Sequence, residues 1–165
     1  NWKKLLGYVP QNINLVDGTI KENIAFAKET AEININKITE VSKNSFIYDF
    51  INSLNDKFET LVGDNGVNLS GGQKQRLGIA RSLYENPKII VIDEGTSSLD
   101  AESEAEIIKF LNSIKGEKTI ILATHRLSSA MICDKIILIK NGKKLKEIFK
   151  SDIQNNLNIL TNTLS

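Results

Sequence analysis

One cysteine, Cys133, is all the chain has, so no internal disulfide can form and a reducing compartment fits. It lies in an apolar run and reads as a buried structural thiol rather than a reactive one. Charge of one sign is missing as well: 21 Lys and Arg stand against 20 Asp and Glu, and the single lysine cluster, Lys143 to Lys146, is short. That balance offers no strong field to nucleic acid, and the cluster reads as a solvated hairpin. No apolar run approaches the roughly 20 residues of a membrane span, and no signal peptide opens the sequence, so any membrane link is expected through a partner. Low-complexity linkers and internal repeats are also missing. What remains is 165 residues of ordinary globular composition, 41% hydrophobic and 25% charged, enough for one domain with a core.

Leu69 to Arg76, which reads Leu-Ser-Gly-Gly-Gln-Lys-Gln-Arg, organises the rest. Ser70 is placed to N-cap a helix running towards Pro87, and Gln73, three residues on, completes a capping box. Gly71 and Gly72 carry no side chain to hold a ligand away, and the first-turn amides lack intrahelical acceptors at the positive end of the helix dipole. This is a phosphate-sized anion site, or simply the start of an ordinary capped helix. Leu77, Ala80 and Tyr84 give the helix a face to bury, with Arg76 and Arg81 off that stripe.

Taken in order, Leu5 to Val9 is a short buried strand closed by Pro10, and Gln11 stands at its exit. Strand exits in parallel sheets are where ligand groups are placed, although a lone Gln there also reads as a plain loop residue. Asp17-Gly18 makes a turn, and Thr19 with Glu22 repeats the capping box ahead of Ile20, Ile24 and Phe26. From Ile33 to Leu54 the apolar positions step by three and four, which predicts a small helical subdomain broken at Ser42-Lys43-Asn44. Leu61 to Asn68, with Gly63 and Gly66, reads as a loop.

Ile89 to Ile92 is a β-branched run ending in Asp93-Glu94, the pattern of a central parallel strand with carboxylates at its tip. Adjacent acids on a strand point to opposite sides, so one can hold a hard cation such as Mg²⁺ while the other addresses a water. Asp100 starts a helix with Glu102, Glu104 and Glu106 in its early turns, which read as surface groups complementing the dipole. Ile107, Leu111 and Ile114 are its apolar stripe, and Gly116 ends it. Thr119 to Ala123 is predicted as a second buried strand, with Thr124-His125-Arg126 at its tip; His125, the only histidine, is either structural or a ligand group. Lys135 to Lys140 is a strand turning at Asn141-Gly142, and Ile153, Leu157, Leu160 and Leu164 mark an amphipathic C-terminal helix.

In this order, Gln11, the helical insert, Leu69 to Gln73, Asp93-Glu94, Ser97-Ser98-Leu99-Asp100 and His125 resemble the nucleotide-binding domain of an ABC transporter from its Q-loop onward. The resemblance implies an α/β fold: a P-loop NTPase-like (RecA-like) parallel sheet core with a helical signature subdomain, the N-terminal part of the cassette missing. Residues 1–11 and 85–150 would form the core, 19–84 the Q-loop exit and signature subdomain, and 151–165 a C-terminal helix. By resemblance ATP and Mg²⁺ are the ligands. Gln11 is the Q-loop glutamine that senses Mg²⁺ and water, Asp93 holds Mg²⁺, Glu94 polarises the attacking water, and His125 contacts the γ-phosphate. Ser70, Gly71, Gly72 and Gln73 would meet nucleotide held by a second cassette, in a homo- or heterodimer, and Asp100 belongs to the D-loop that speaks across it. The implied location is the cytoplasmic face of the membrane, against a transmembrane domain outside this sequence.

Tyr8-Val9-Pro10-Gln11, Asp17-Gly18-Thr19-Ile20, Glu22-Asn23-Ile24 and Thr124 to Ser128 are similar to exporter cassettes. Leu61 and Asn65 stand where such proteins often carry Glu and Arg, and Gly95 replaces the usual Ala. The larger departure is that no Gly-x-x-x-x-Gly-Lys-Ser/Thr occurs in these residues, which leaves no amide nest for the β- and γ-phosphates. The expectation is therefore a fragment with open strand edges that tends to self-associate and is inactive alone. Two other readings stand beside it: a soluble ABC ATPase of DNA repair or ribosomes, disfavoured by the compact insert, and a non-catalytic fragment supplying only the trans half of a site.

Overall fold

The computed structural model describes residues 5–64, 66–94 and 99–164, with side chains described as far as 161. The expectations for Asn65, Gly95, Ser97, Ser98 and the Leu164 side chain lie outside the described residues. The chain forms two compact units, one ending at Ile121 and the other beginning at Leu122.

In the first unit β1 (Leu6–Val9) runs parallel to β4 (Ile89–Asp93), with Leu6 opposite Ile89 and Val9 opposite Ile92. The sheet order is β1-β4-β5, where β5 (Thr119–Ala123) begins in the first unit and its last two residues fall in the second. The strand starts are tied by Lys88 N donating to Leu5 O at 3.0 Å and Thr119 N to Lys88 O at 2.9 Å. The β-branched run of β4 supplies the buried Ile90 and Ile92. The expectation that β5 is buried fails: Thr119, Ile121 and Ala123, alternate residues that share one face of the strand, are exposed, while Ile120 and Leu122 are half-buried.

Both predicted capping boxes form. Thr19 caps α1 (Ile20–Ile24) with Glu22, and Ser70 caps α4 (Gly71–Leu83) with Gln73. α4 buries more than the Leu77-Ala80-Tyr84 stripe: Gln75, Gly78, Ile79, Ser82 and Leu83 are buried too, so it is enclosed on two faces. β1 passes close beneath its end, since a Cβ added to Gly7 would sit 2.5 Å from the Ser82 carbonyl oxygen and 2.9 Å from Pro87 Cγ.

The helical insert consists of α2 (Ile35–Asn44) and α3 (Tyr48–Ser53). The break predicted at Ser42-Lys43-Asn44 comes later, around Phe46, whose φ of 56° no helix continues. Ser42 is instead fully buried within α2. Leu61 to Asn68 is not wholly loop either. β3 (Leu61–Val62) pairs antiparallel with β2 (Gly18–Thr19), a two-residue ladder too short to leave a periodic signal. α5 (Ala101–Ser113) begins at its Asp100 cap. Glu104, predicted as surface, is buried, because it shares a face with the buried Ile107 and Leu111 at steps of three and four.

The second unit holds α6 (Leu127–Met131), β6 (Lys135–Lys140), β7 (Lys143–Phe149) and α7 (Leu157–Leu164). β6 and β7 form the predicted hairpin, with Asn141 and Gly142 at φ 51° and 72°. Leu138, Ile148, Ile153 and Leu160 make its core. Within 151–165 the α-helix occupies only Leu157 onward; Asn156 Nδ2 donates to Asp152 O at 2.7 Å, taking an acceptor that a continuous helix would use. Cys133 is half-buried rather than buried, its thiol 3.6 Å from Ser129 O.

Candidate functional site

Parallel pairing of β1 with β4 brings Gln11 and Asp93-Glu94, 83 residues apart in sequence at the contact, to one end of the sheet. Gln11 Nε2 donates to Glu94 Oε2 at 2.8 Å. The Tyr8 hydroxyl donates to Asp93 Oδ2 at 3.4 Å. Glu94 does not continue the strand; its φ is 49°, so the expected alternation of two strand acids gives way to one acid ending β4 and one just beyond it. A glutamate in the left-handed region persists only where its surroundings hold it. Here Gln11 engages its carboxylate, and Gln75 Nε2 donates to its carbonyl oxygen at 3.4 Å.

At the start of α4, Ser70 Oγ accepts from Gln73 N at 3.2 Å and Gln73 Oε1 accepts from Ser70 N at 2.9 Å. The Gln73 side chain is thus engaged with the cap, while the Ser70 hydroxyl keeps its own proton to donate. Ser70 and Gly71 are exposed. At the start of α5, Asp100 Oδ1 accepts from Ser103 N at 2.9 Å and Oδ2 from Ser103 Oγ at 2.8 Å. These bonds, the backbone one foremost, hold the Asp100 carboxyl below the usual carboxylate range. Arg76 joins the two helices. It donates to Ser103 Oγ and to Phe46 O, and its Nη2 lies 3.6 Å from Glu106 Oε2.

His125 belongs to the second unit, where it is exposed ahead of α6; next to it Thr124 Oγ1 accepts from Arg126 N at 3.0 Å. The structure therefore groups Gln11, Asp93 and Glu94 directly and sets Ser70 to Gln73 and Asp100 at two helix starts linked by Arg76. The contacts of Tyr8, Gln75, Arg76 and Ser103 escape the sequence reading, although Tyr8 and Arg76 lie within the stretches it singles out. Gln75 also leaves a trace there, as it stands four residues before the apolar Ile79 on the second buried face of α4.

Among the described residues no cluster of three or more His, Cys, Asp or Glu forms a metal cage. The Asp93 carboxylate and the Gln11 amide oxygen are hard oxygen donors, and one or two such groups completed by water and phosphate suit Mg²⁺. An acid-tipped parallel strand, an amide at the neighbouring tip and a glycine-rich helix start sit in a mixed α/β fold, and the match that follows makes it P-loop NTPase-like. A solved structure described as a bacterial Atm1-family ABC exporter with ATP bound superimposes with a TM-score of 0.86 at 33% identity, over 98% of this chain and 28% of that one.

The chain belongs to the ABC transporter family, whose sequence model matches residues 1–97. An ATP-dependent lipid A-core flippase of Aliivibrio fischeri is 40% identical over 143 residues, 87% of this chain and 24% of the flippase. A probable ABC transporter ATP-binding/permease protein of Haemophilus influenzae is 44% identical over 138 residues, 84% of this chain and 25% of its own. The chain thus spans about a quarter of the length of these relatives.

Proposed function

We propose that these residues serve in hydrolysing MgATP within an exporter-type transporter, coupling hydrolysis at an interface between two cassettes to movement of a substrate through a transmembrane domain. The observation that carries the proposal is the contact of Gln11 with Glu94 at 2.8 Å, beside Asp93, at the tips of two parallel strands. The ATP-dependent flippase and the ATP-bound exporter among similar proteins support it.

In this reading Glu94 polarises the attacking water and Gln11 orients the Glu94 carboxylate. His125 contacts the γ-phosphate, and Asp93 with Gln11 holds Mg²⁺, which when bound offsets charge on the phosphates. Ser70, Gly71 and Gly72 donate to the γ-phosphate of nucleotide carried by the second cassette, with Gln73 holding the cap and Asp100 meeting that cassette. Residues 1–11 and 85–150 act as the α/β core, 19–84 as the signature subdomain and 151–165 as a C-terminal element, at the cytoplasmic membrane face. The 165 residues by themselves hold no Gly-x-x-x-x-Gly-Lys-Ser/Thr and are proposed not to turn over ATP alone.

One experiment tests this. In the full-length protein, Glu94→Gln is expected to keep nucleotide binding while hydrolysis falls by about a hundredfold or more. The isolated residues, assayed alongside, are expected to show no turnover. Unchanged hydrolysis in the Glu94→Gln protein removes the role given to Glu94.

A further inference from the structure

Gln75 lies on α4 five residues after its Ser70 cap, and its side chain is turned inward, with the residue only 2% exposed. A buried amide in a helix that otherwise encloses Leu77, Ile79 and Ala80 needs a polar reason to be there. Its Nε2 donates to the carbonyl oxygen of Glu94 at 3.4 Å. Glu94 is also the residue just past β4 with a φ of 49°. That backbone geometry sets the direction in which the side chain leaves the chain, so a contact that fixes the carbonyl bears on the region the carboxylate can reach.

We infer that Gln75 is a positioning residue for Glu94: it ties the helix that begins at Ser70-Gly71-Gly72 to the backbone of the carboxylate that addresses water. Among the described residues, α4 reaches the Glu94 carbonyl through Gln75 and the β1 exit reaches its carboxylate through Gln11. A ligand drawn onto the start of α4 therefore bears on the aim of Glu94 along one rigid helix. This rests on the reading of Glu94 given above.

The test uses the full-length protein. Gln75→Met keeps the length of the side chain and removes the donor. The expected result is a fall in kcat of roughly tenfold or more with KM for ATP changed less than about twofold, as for a misdirected group rather than a lost binding contact. In a Glu94→Gln background the same substitution is expected to lower single-turnover hydrolysis by less than about twofold, because the group it aims is already disabled. Equal fold losses in both backgrounds, or a full kcat in Gln75→Met, overturn the inference.

Should Gln75→Met fail to fold, Gln75→Glu carries the test. Its carboxyl regains an O–H donor only when protonated, so its kcat relative to the unsubstituted protein rises as pH falls, and a ratio flat in pH overturns the inference. Failure of the parent reading looks different: an unsubstituted protein that does not hydrolyse ATP, or one indifferent to Glu94→Gln, removes both.

Discussion

Asp100 and Glu22 use one device at two helix starts. Asp100 accepts from the amide and the hydroxyl of Ser103, three residues on, and Glu22 accepts from the amide and the hydroxyl of Thr19, three residues back, at 2.8 and 2.9 Å. Both carboxyls are held below their ordinary range, in each case chiefly by the backbone bond. A carboxyl with a lowered folded pKa adds stability that is fully present above its unfolded pKa and lost as pH falls through the folded one. The melting temperature is therefore expected to stay level through neutrality and to decline below about pH 4, where free carboxylates take up protons. Replacing Asp100 by Asn and Glu22 by Gln is expected to flatten that decline; an acid limb of unchanged slope shows that these two groups do not set it. Such caps are legible in sequence because donor and acceptor lie within four residues. Gln11, Asp93 and Glu94 are legible for another reason, as polar groups closing apolar runs. The contacts of Tyr8 and Gln75 are not, since nothing local announces a partner 85 or 19 residues away.

Between elements, two guanidinium groups act as fastenings, Arg76 and Arg81. Arg81 of α4 donates through Nε to Asn23 O at 2.8 Å, through Nη2 to Asn23 Oδ1 at 3.0 Å and through Nη1 to Asn14 O at 3.0 Å, with the Phe26 ring 5.0 Å away. Asn23, fully buried, also accepts from Val16 N at 3.0 Å and donates to Val16 O at 2.9 Å. The loop after Gln11, α1 and α4 are thereby joined. Burial lowers the Arg81 pKa, yet a guanidinium stays charged across the physiological range. A lysine keeps that charge and loses the fork, so Arg81→Lys is expected to cost about 2 kcal/mol in a denaturant titration. A loss within a few tenths of a kcal/mol means the fork contributes little beyond charge. Sequence periodicity places α4 and gives Arg81 a position off its stripe, but it cannot show that an off-stripe arginine reaches another element. The misplaced break in the helical insert has a similar origin. Polar residues suggested an end at Ser42, whereas the turn is made by Phe46, a residue type that does not announce a positive φ.

Across the whole molecule, apolar side chains stand at both edges of the sheet: Leu6 and Tyr8 on β1 are 36% and 52% exposed, and Ile121 on β5 is 53% exposed. Edges that have no strand partner among the described residues, beside exposed apolar side chains, template association. The chain is expected to self-associate at micromolar concentration in sedimentation velocity, and Ile121→Thr, which keeps strand propensity, is expected to shift the distribution towards monomer. A sharp monomer boundary from the unsubstituted chain counts against this. The class of fold is legible from the order of strand tips and capped helices, because that order is a sequence property. Which strands become edges is not, since it depends on every neighbour a strand finds. The β6–β7 hairpin has its own consequence, one of chemical ageing. Asn141 is followed by Gly142, which has no side chain to shield the backbone nitrogen that attacks an asparagine side-chain carbonyl. The paired β6–β7 ladder closes on this turn and restrains its backbone, so ring closure is expected to quicken when the hairpin opens. Deamidation at Asn141 is then expected to act as a slow clock that counts openings of this one turn.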